Sequence, residues 1–285
     1  MGGFRIITKG EKSMDLYKTS ALFNQNMSRK QQEKLLEFYK QVFSDYQITN
    51  IHDCSIGAGG TTIPLAKLGY QISGSDISEN LLGKAKANFE AEGYNIELFV
   101  SDFRKLSEVL SNTYDCIIST GNSLPHVDNQ DVSNFIHRIS TKINQNGFIF
   151  IDIRNWDKIL NEKPIFKARD PFVMTEEEHV SLYQVWNWHD DRSVDFIFVT
   201  SIDKKGKHEK TSLTYAPTYY PLKYADLEKM LNENGFEIKR CFDVDYLWQS
   251  SNEEEIKTGN FKDDFDKINW YAVLAQKANC STHHP

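Results

Sequence analysis

The residues best suited to chemistry are a glycine-rich turn, DCSIGAGG at residues 53–60, and the acid Asp76 that follows it. The glycines of this turn allow the backbone to approach a ligand closely. Asp76 lies about 20 residues further on, at the end of the next β-like segment, where a carboxylate can accept hydrogen bonds from both hydroxyls of a ribose. Any tight turn favours glycine, and Asp76 could instead cap the helix that begins after Ser78. Together, the turn and the acid predict a site for an adenosine-containing cofactor.

The spacing of the glycines separates two kinds of adenosine cofactor. A dinucleotide needs GxGxxG, so that its pyrophosphate meets the start of the following helix. Here the turn reads GxGG, and position 62 is threonine rather than glycine. Further along, Asp102 could take the adenine amino group and Phe103 could cover the ring, although a loop acid beside a core phenylalanine is the alternative. The sequence therefore favours S-adenosylmethionine, with S-adenosylhomocysteine as its product, over a nicotinamide dinucleotide.

Three later segments resemble the corresponding parts of glycine N-methyltransferase and the related glycine/sarcosine methyltransferases. They are GNSLPHV at residues 121–127, IDIRNWDKIL at residues 151–160 and TYYPL at residues 218–222. The resemblance runs over most of the chain, and the segments occur in the same order and at similar spacing behind the cofactor motifs. It implies a class I S-adenosylmethionine-dependent methyltransferase that acts on the nitrogen of a small amine bearing a carboxylate.

The same resemblance assigns roles to residues of these segments. Asn122 and Arg154 match the family's asparagine and arginine, which hold the carboxylate of the amino-acid substrate. His126 matches a residue near the cofactor. His126, a nearby tyrosine or a carbonyl oxygen could accept a proton from the amine. Tyr219 or Tyr220 matches a tyrosine that lines the substrate pocket. The predicted catalytic group is therefore Asn122, His126, Arg154 and Tyr220.

The cofactor side of the site is predicted from the turn and from the same family. The family uses an arginine just before its first helix to reach the carboxylate of the cofactor, and Arg29 is the match. The full set of predicted cofactor contacts is Arg29, Ser55, Gly57, Gly59, Asp76, Ile77, Asp102, Phe103, Thr120 and Ser123. The turn reads SIGAGG where the family usually has ACGTG, and the segment before Arg29 lacks the family's tryptophan and tyrosine. These differences leave the identity of the amine open.

Arg154 is also favoured by its place in the chain. It follows the apolar run FIFIDI, so it should stand at the C-terminal end of a central strand, where open α/β sheets bind ligands. A guanidinium there can hold a carboxylate through two parallel hydrogen bonds. The alternative is an ion pair with Asp152 or Asp157. For His126, the alternative is a histidine that only packs or faces solvent.

The elements that position these residues alternate between strand and helix. From residue 50 to residue 155, β-like runs and helical apolar spacing follow one another, which predicts right-handed crossovers and a mostly parallel sheet. One of the predicted helices covers residues 131–147. With a final helix and strand pair, the pattern gives a Rossmann-like α/β fold of seven strands with helices on both faces.

The pattern changes between residues 160 and 218, where three β-like segments, two of them separated by the turn KKGK, predict a small antiparallel insertion over the cleft. Its aromatic residues Tyr183, Trp186 and Trp188 should form the core of that sheet rather than a ligand cage. The predicted domains are the N-terminal helix and cofactor-binding part of the core at residues 1–159, an antiparallel substrate lid at residues 160–218, and the C-terminal part of the core at residues 219–285.

The composition of the chain argues against nucleic acid and a membrane as binding partners. A formal net charge of -7 over 285 residues offers no basic field for a nucleic-acid backbone, and no apolar run reaches membrane-spanning length. The four cysteines, Cys54, Cys116, Cys241 and Cys280, show no CxxC pairing, so reduced thiols and a cytoplasmic location are expected. A small-molecule substrate is expected, methyl transfer needs no metal, and a homo-oligomer is left open.

Other functions fit parts of the pattern. Within the methyltransferases, the same core could O-methylate a hydroxylated small molecule or N-methylate an amino sugar. An NAD-dependent oxidoreductase is disfavoured by the missing third glycine. A non-catalytic adenosine-binding module is disfavoured because Asn122 and Arg154 fill the family's substrate positions.

Overall fold

Two compact units make up the computed structural model, which describes residues 27, 29–168, 173–174, 177–248 and 265–278. Over its described residues, the core unit comprises Asn26–Pro125, Asn129–Lys158 and Leu222–Pro285, and the insert unit comprises His126–Asp128 and Ile159–Pro221. Within the described parts of the chain, no helix combines the length and the apolar character needed to cross a membrane.

Strands and helices alternate through the first half of the chain. The strands are β1 (Asn50–Asp53), β2 (Gln71–Asp76), β3 (Glu97–Val100), β4 (Tyr114–Ser119), β5 (Ile143–Arg154), β6 (Phe166–Ala168), β7 (Val173–Met174), β8 (Glu178–Trp188), β9 (Val194–Lys204), β10 (Lys207–Tyr219), β11 (Phe236–Asp243) and β12 (Trp270–Lys277). The helices are α1 (Arg29–Phe43), α2 (Ile63–Lys67), α3 (Glu79–Ala91), α4 (Leu106–Val109), α5 (Asn129–Ser140), α6 (Trp156–Glu162), α7 (Tyr224–Glu233) and α8 (Asp245–Trp248). Short 3-10 helices cover Phe103–Lys105, Leu124–His126 and Phe265–Lys267.

The core unit is built on a seven-stranded sheet in the order β11-β12-β5-β4-β1-β2-β3. Strands β3, β2, β1, β4 and β5 are parallel neighbours, and β12 runs antiparallel to both β5 and β11. The predicted Rossmann-like, mostly parallel sheet is therefore confirmed. Its central strands are apolar runs with both faces covered, as in β5, where residues 148–153 are all buried.

Helix α1 packs an aromatic face on this sheet. Phe38, Tyr39 and Phe43 are almost fully buried, and their ring centroids lie 6.2, 6.1 and 5.8 Å from that of Phe150 in β5. Burial of an apolar side chain of this size contributes about 1.5–3 kcal/mol. Met27, just before the helix, packs against the same cluster. The sheet thus fixes α1 and the segment that leads into it.

One predicted helix is shorter than expected. The helix predicted over residues 131–147 ends at Ser140, and its last residues instead begin β5. The prediction was wrong there because Ile143 pairs with Tyr114 of β4, a contact that local spacing does not reveal. A Cβ on Gly147 would lie 2.9 Å from a carbonyl oxygen of β4, so glycine is needed where the pairing of β4 and β5 is irregular.

The insert unit contains a separate antiparallel sheet in the order β10-β9-β8-β6, with β7 also paired to β8. The predicted antiparallel insertion is confirmed, and the turn KKGK joins β9 to β10. Lys205 and Gly206 have φ values of 49° and 73°, the two positive values of a tight hairpin turn. Trp186 is buried in this sheet, as predicted, whereas Tyr183 and Trp188 are half-buried. The lid role and the predicted domain limits stay predictions.

The described cysteines, Cys54, Cys116 and Cys241, are free thiols, as predicted. Cys280 lies outside the described residues. Burial raises the pKa of the Cys54 and Cys116 thiols well above the ordinary value. These two thiols therefore stay protonated near neutral pH and act as small apolar core residues.

Candidate functional site

The glycine-rich turn leaves β1 at the point where the strand order changes direction. The chain passes from β1 to β2 on one side, and β4 lies on the other side of β1, which is where open α/β sheets bind ligands. Past the end of β1, Cys54 N donates to Ile118 O at 2.9 Å, and Ile56 N donates to Ser75 O at 3.1 Å. The turn therefore lies across the C-terminal ends of β4, β1 and β2.

Gly59 sets how closely the turn packs on α3. Its φ is 83°, and a Cβ built on it would lie 2.7 Å from the ring of Phe89. Backbone conformation and space therefore both require glycine. Gly57 also has a positive φ, 54°, but a Cβ there would meet no described atom within 4 Å. The turn is packed tightly at Gly59 and leaves room at Gly57.

Asp76, the last residue of β2, ties the turn to the start of α3. Its Oδ2 accepts a hydrogen bond from Gly57 N and its Oδ1 accepts one from Ser78 N, both at 2.9 Å. Burial raises the pKa of Asp76, although these backbone hydrogen bonds lower it. The helix cap is Ser78 itself, whose Oγ accepts from Leu81 N. Asp76 therefore lies beside the turn, and Ile77, the next residue, is 56% exposed. The cofactor contacts of both residues stay predictions.

Asp53 is a buried acid that the sequence analysis missed. It ends β1, and its carboxylate accepts hydrogen bonds from Ser55 N at 2.9 Å and from Thr62 Oγ1 at 2.5 Å. Burial raises the pKa of Asp53 to about 7, against the lowering effect of these two hydrogen bonds. Ser55 lies near the start of the turn and Thr62 lies just after its end, so the Asp53 carboxylate ties the two ends of the turn together. The signal in the sequence is an acid directly after an apolar strand.

Asp102 and Phe103 follow β3, as predicted, and both side chains have protein partners. Asp102 Oδ2 accepts from Arg104 Nη2 at 2.5 Å, and Arg104 Nη1 also donates to Asp131 at 2.8 Å. Partial burial acts to raise the pKa of Asp102, but the hydrogen bonds and charge of Arg104 lower it below its ordinary value. The Phe103 ring meets Phe135 of α5 edge-on at 5.1 Å. The Asp102 contacts match the alternative of a loop acid, while Phe103 is half-buried, and the adenine contacts of both residues stay predictions.

Ser55, Thr120 and Ser123, all predicted cofactor contacts, come together at the end of β4. Thr120 N donates to Ser55 Oγ at 3.3 Å, and Ser123 Oγ donates to Thr120 O at 2.7 Å. Thr61, which is absent from the predicted set, places its Oγ1 3.1 Å from Oγ1 of Thr120. A row of hydroxyls thus lines the turn, and hydroxyls can both donate to and accept from a ligand.

The side-chain amide of Asn122 is held at its oxygen end by two protein donors. Its φ of 61° is a left-handed conformation that asparagine tolerates better than most residues. The Oδ1 atom accepts from Arg154 N at 3.1 Å and from Trp156 Nε1 at 3.0 Å. Since both partners can only donate, they fix which end of the amide is the oxygen. The Nδ2 group, with its two hydrogens, is therefore the donor end of the amide, and the contact of Asn122 with a substrate carboxylate stays a prediction.

Arg154, the last residue of β5, lies over an aromatic ring. Its guanidinium carbon is 5.2 Å from the ring centroid of Trp270, the residue opposite it on β12. The structure gives other partners to both acids of the alternative ion pairs. Asp152 accepts a hydrogen bond from Trp270 Nε1, and Asp157 accepts one from Tyr224 N at 2.8 Å. Arg154 thus lies at the strand end predicted from the sequence, and its contact with a substrate carboxylate stays a prediction.

Asp152 is a second buried acid, and its carboxylate is hydrogen-bonded to Gly121, which precedes Asn122, and to Trp270, which contacts Arg154. Burial raises its pKa to about 7, although hydrogen bonds from Trp270 Nε1 and Gly121 N lower it. Asn122 N also donates to the backbone carbonyl of Asp152 at 3.2 Å. Asp152 therefore holds the loop that carries Asn122 and the ring beneath Arg154.

His126, Tyr219 and Tyr220 lie in the insert unit. The ring centroids of His126 and Tyr219 are 4.3 Å apart, and Tyr219 stacks on Phe196 at 4.5 Å. Tyr219 is buried and Tyr220 is half-buried, which identifies the inward-facing tyrosine of the pair. The ring contacts match the packing alternative for His126. Its role as a proton acceptor stays a prediction, as do the substrate contacts of the two tyrosines.

Arg29 begins α1 close to the turn, but its side chain lies along the helix. Two residues earlier, the Met27 Cβ would be 3.4 Å from a Cβ built on Gly60. The Arg29 Nε donates to Glu33 at 3.1 Å, and the Arg29 side chain is 92% exposed. Met27, just before α1, thus lies beside the turn, while the Arg29 guanidinium contacts Glu33 of the same helix. The contact with the cofactor carboxylate stays a prediction.

Comparison with known proteins shows that this chain is similar to methyltransferases. Residues 51–147 match the family model described as a methyltransferase domain. The chain is 29% identical over 126 residues to a glycine/sarcosine N-methyltransferase of Halorhodospira halochloris, which is 44% of this chain and 47% of that protein. It is 21% identical over 242 residues to one from Parasynechococcus marenigrum, which is 85% of this chain and 76% of that protein. The chain thus spans about half the length of the first of these relatives.

A solved structure shares the fold. It is an S-adenosylmethionine-dependent methyltransferase from Clostridium acetobutylicum, with a TM-score of 0.66 over 90% of this chain and 95% of that chain. The two chains are 18% identical, so the likeness concerns the fold rather than the substrate. The matched domain at residues 51–147 includes the turn, Asp76 and Asn122, while Arg154 lies just beyond it.

Proposed function

We propose that this chain, a class I S-adenosylmethionine-dependent methyltransferase by its matched domain and its fold, methylates the nitrogen of a small amine that bears a carboxylate. The observation that carries this proposal is the arrangement of Asn122 and Arg154. The backbone N–H of Arg154 donates to Asn122 Oδ1, which leaves Nδ2 as the donor end of the Asn122 amide, and the Arg154 side chain begins at the residue that makes this bond. Two donor groups, one of them cationic, suit a carboxylate. The glycine/sarcosine relatives support the same class of acceptor.

The residues around the turn fit the cofactor of this class. When bound, S-adenosylmethionine supplies a methyl group on a positively charged sulfur, which a nitrogen lone pair can displace. We propose that the Asp76 carboxylate accepts hydrogen bonds from the ribose hydroxyls, since its two backbone bonds leave further lone pairs. Exposed Ile77 would cover the adenine, and the hydroxyls of Ser55 and Thr120 would meet the polar end of the cofactor.

Alignment is the main task of the protein in such a reaction. A bond forms between nitrogen and carbon while the bond between carbon and sulfur breaks, so donor and acceptor have to be in line and free of water. By holding the carboxylate, Asn122 and Arg154 would fix one end of a small acceptor and leave the amine as the reactive end. The amine has to be neutral to expose its lone pair, and His126 or Tyr220 is the predicted acceptor of its proton.

An acceptor panel matched in pairs tests the proposal. Purified protein and labelled S-adenosylmethionine are mixed with glycine or glycinamide, with sarcosine or sarcosinamide, and with an amino sugar or a catechol. We expect kcat/KM for the acid of each pair to exceed that for its amide by about tenfold or more, because a charge-assisted contact contributes about 1.5–3 kcal/mol. Equal rates on acid and amide, or turnover of the sugar or the catechol alone, would contradict the proposal.

The Arg154 contribution can be tested separately. Arg154→Met removes the charge and keeps the length of the side chain. We expect KM for the acid acceptors to rise about 10–100-fold while KM for the amides changes little. The matched control is Arg138→Met on α5, where the side chain is 52% exposed. If Arg154→Met leaves KM for the acids unchanged, the carboxylate contact is wrong.

Titration calorimetry separates the proposal from the other classes of function. We expect binding of S-adenosylhomocysteine and no binding of NAD, because the turn lacks the third glycine of a dinucleotide site. Binding of NAD alone would favour an oxidoreductase. Tight binding of S-adenosylhomocysteine without turnover of any acceptor would favour a non-catalytic adenosine-binding module.

A further inference from the structure

Two tryptophans contact the pair of donors, and each contacts a different one. Trp156, the first residue of α6, is fully buried and meets Asn122. Trp270, the first residue of β12, is half-buried and lies opposite Arg154 in the antiparallel pairing of β12 with β5. Neither tryptophan is among the residues predicted for the site. Both belong to the core unit, as do the two donors.

The Trp156 indole determines which end of the Asn122 amide faces a ligand. Its Nε1 is one of two donors to Asn122 Oδ1, and the other is Arg154 N. With Trp156 replaced by a residue that cannot donate, one donor remains, and a half-turn of the amide would bring the oxygen forward. A ligand carboxylate would then meet an oxygen, whereas a ligand amide could still donate to it.

The Trp270 ring supports the Arg154 guanidinium. The ring is itself held at its edge, because its Nε1 donates to the buried carboxylate of Asp152. The guanidinium carbon lies 5.2 Å from the ring centroid, within the range of a cation–π contact. A guanidinium stacked flat on the ring would direct its N–H groups sideways, in the plane that a carboxylate needs for two parallel hydrogen bonds.

We propose that Trp156 and Trp270 are positioning residues for the carboxylate of the methyl acceptor. Trp156 sets the direction of the Asn122 amide, and Trp270 sets the plane of the Arg154 guanidinium. This inference rests on the proposed function, and it adds an effect that mere packing would not produce. Loss of either tryptophan changes the preference between an acid and its amide, rather than lowering both rates together.

Trp156→Phe keeps an aromatic ring and removes the indole N–H. With glycine and glycinamide as probes, we expect the ratio of their kcat/KM values to fall about tenfold or more, mainly through a higher KM for glycine. The matched control is Trp188→Phe, which removes an indole N–H bonded to Pro164 O at 2.9 Å in the insert unit and should leave the ratio unchanged. Titration with S-adenosylhomocysteine checks that the cofactor side is intact in each variant.

Trp270→Leu tests the second contact at a half-buried position, so the inference does not depend on the folding of Trp156→Phe alone. We expect Trp270→Leu to lower the same ratio, and Trp270→Phe, which keeps an aromatic face, to restore most of it. If Trp156→Phe and Trp270→Leu reduce kcat/KM for glycine and glycinamide equally, the tryptophans only pack, and the inference is overturned while the proposed function stands. If the unmodified protein does not prefer glycine to glycinamide, the proposed function fails, and the inference fails with it.

Discussion

Asp76 binds the protein backbone and, under the proposed function, the cofactor ribose as well. Two of its lone pairs bind backbone N–H groups from the turn and from the start of α3. A carboxylate has about four acceptor sites, so others remain for the ribose hydroxyls. The amide in Asp76→Asn carries a donor where one of these oxygens stood. We expect Kd for S-adenosylhomocysteine to rise about 10–100-fold, measured by calorimetry, because hydrogen bonds to a charged acceptor are lost.

The control for this change is an aspartate away from the turn. Asp45 follows α1, and its side chain is 74% exposed near Arg240. Asp45→Asn should leave Kd for S-adenosylhomocysteine as it is. An unchanged Kd in Asp76→Asn as well would show that the acid serves only the turn and the helix start.

Residue types at the site could be predicted from the sequence, but the directions of their side chains could not. Asn122 was expected to bind a carboxylate, yet its orientation depends on Arg154 and Trp156, which lie 32 and 34 positions away in the chain. Asp102 is bound by Arg104, a neighbour whose direction depends in turn on Asp131 of α5. The contacts with Arg154, Trp156 and Asp131 join distant parts of the chain and form only in the folded protein, so no local pattern reveals them.

Among the elements, the turn between β1 and α2 requires a glycine at position 59, whereas helix α3 does not require its glycine at position 83. Gly59 has a positive φ and lies against Phe89, so Gly59→Ala should destabilise the protein by about 1–3 kcal/mol. Gly83 lies inside α3, where a Cβ would meet no described atom within 4 Å. Gly83→Ala should stabilise the protein by about 0.5–1 kcal/mol, because alanine favours a helix.

Urea unfolding of the two variants measures both changes on one scale. The opposite signs are the point of the comparison, since the same methyl group is added to two glycines of neighbouring elements. A stabilised Gly59→Ala variant would mean that the turn can move away from Phe89.

The order of the elements was predictable for a simple reason. Strands buried on both faces appear in the sequence as continuous apolar runs, such as residues 148–153, and helix starts carry polar caps such as Ser78. The end of α5 was not predictable, because β5 extends backwards through Asn144, Gln145 and Asn146 to Ile143, which pairs with Tyr114 of β4. Sheet pairing decided that boundary against local spacing.

At the scale of the whole molecule, the core residues on the two sides of the insert segment Ile159–Pro221 lie next to each other. Asp157 precedes the insert segment Ile159–Pro221, Tyr224 follows it, and Asp157 Oδ2 accepts a hydrogen bond from Tyr224 N at 2.8 Å. A short glycine and serine linker can therefore replace residues 159–221. We expect the shortened protein to unfold cooperatively and to bind S-adenosylhomocysteine, because the core unit has its own buried clusters.

Two measurements check this expectation, thermal unfolding and calorimetric titration of the shortened chain. Binding without methyl transfer is the expected combination, since the predicted contacts of Tyr219 and Tyr220 are removed. A shortened chain that stays unfolded would show that the core unit requires the insert segment to fold.

The left-handed backbone at Asn122 restricts how this enzyme can evolve. At a φ of 61°, glycine, asparagine and aspartate are the residues that fit with little strain. Asparagine and aspartate codons differ by a single base. An aspartate would still accept from Arg154 N and Trp156 Nε1, so the loop would survive the change, while the surface offered to the acceptor would switch from N–H to oxygen. Under the proposed function, Asn122→Asp would therefore shift the preference from amines that bear a carboxylate towards amines without one.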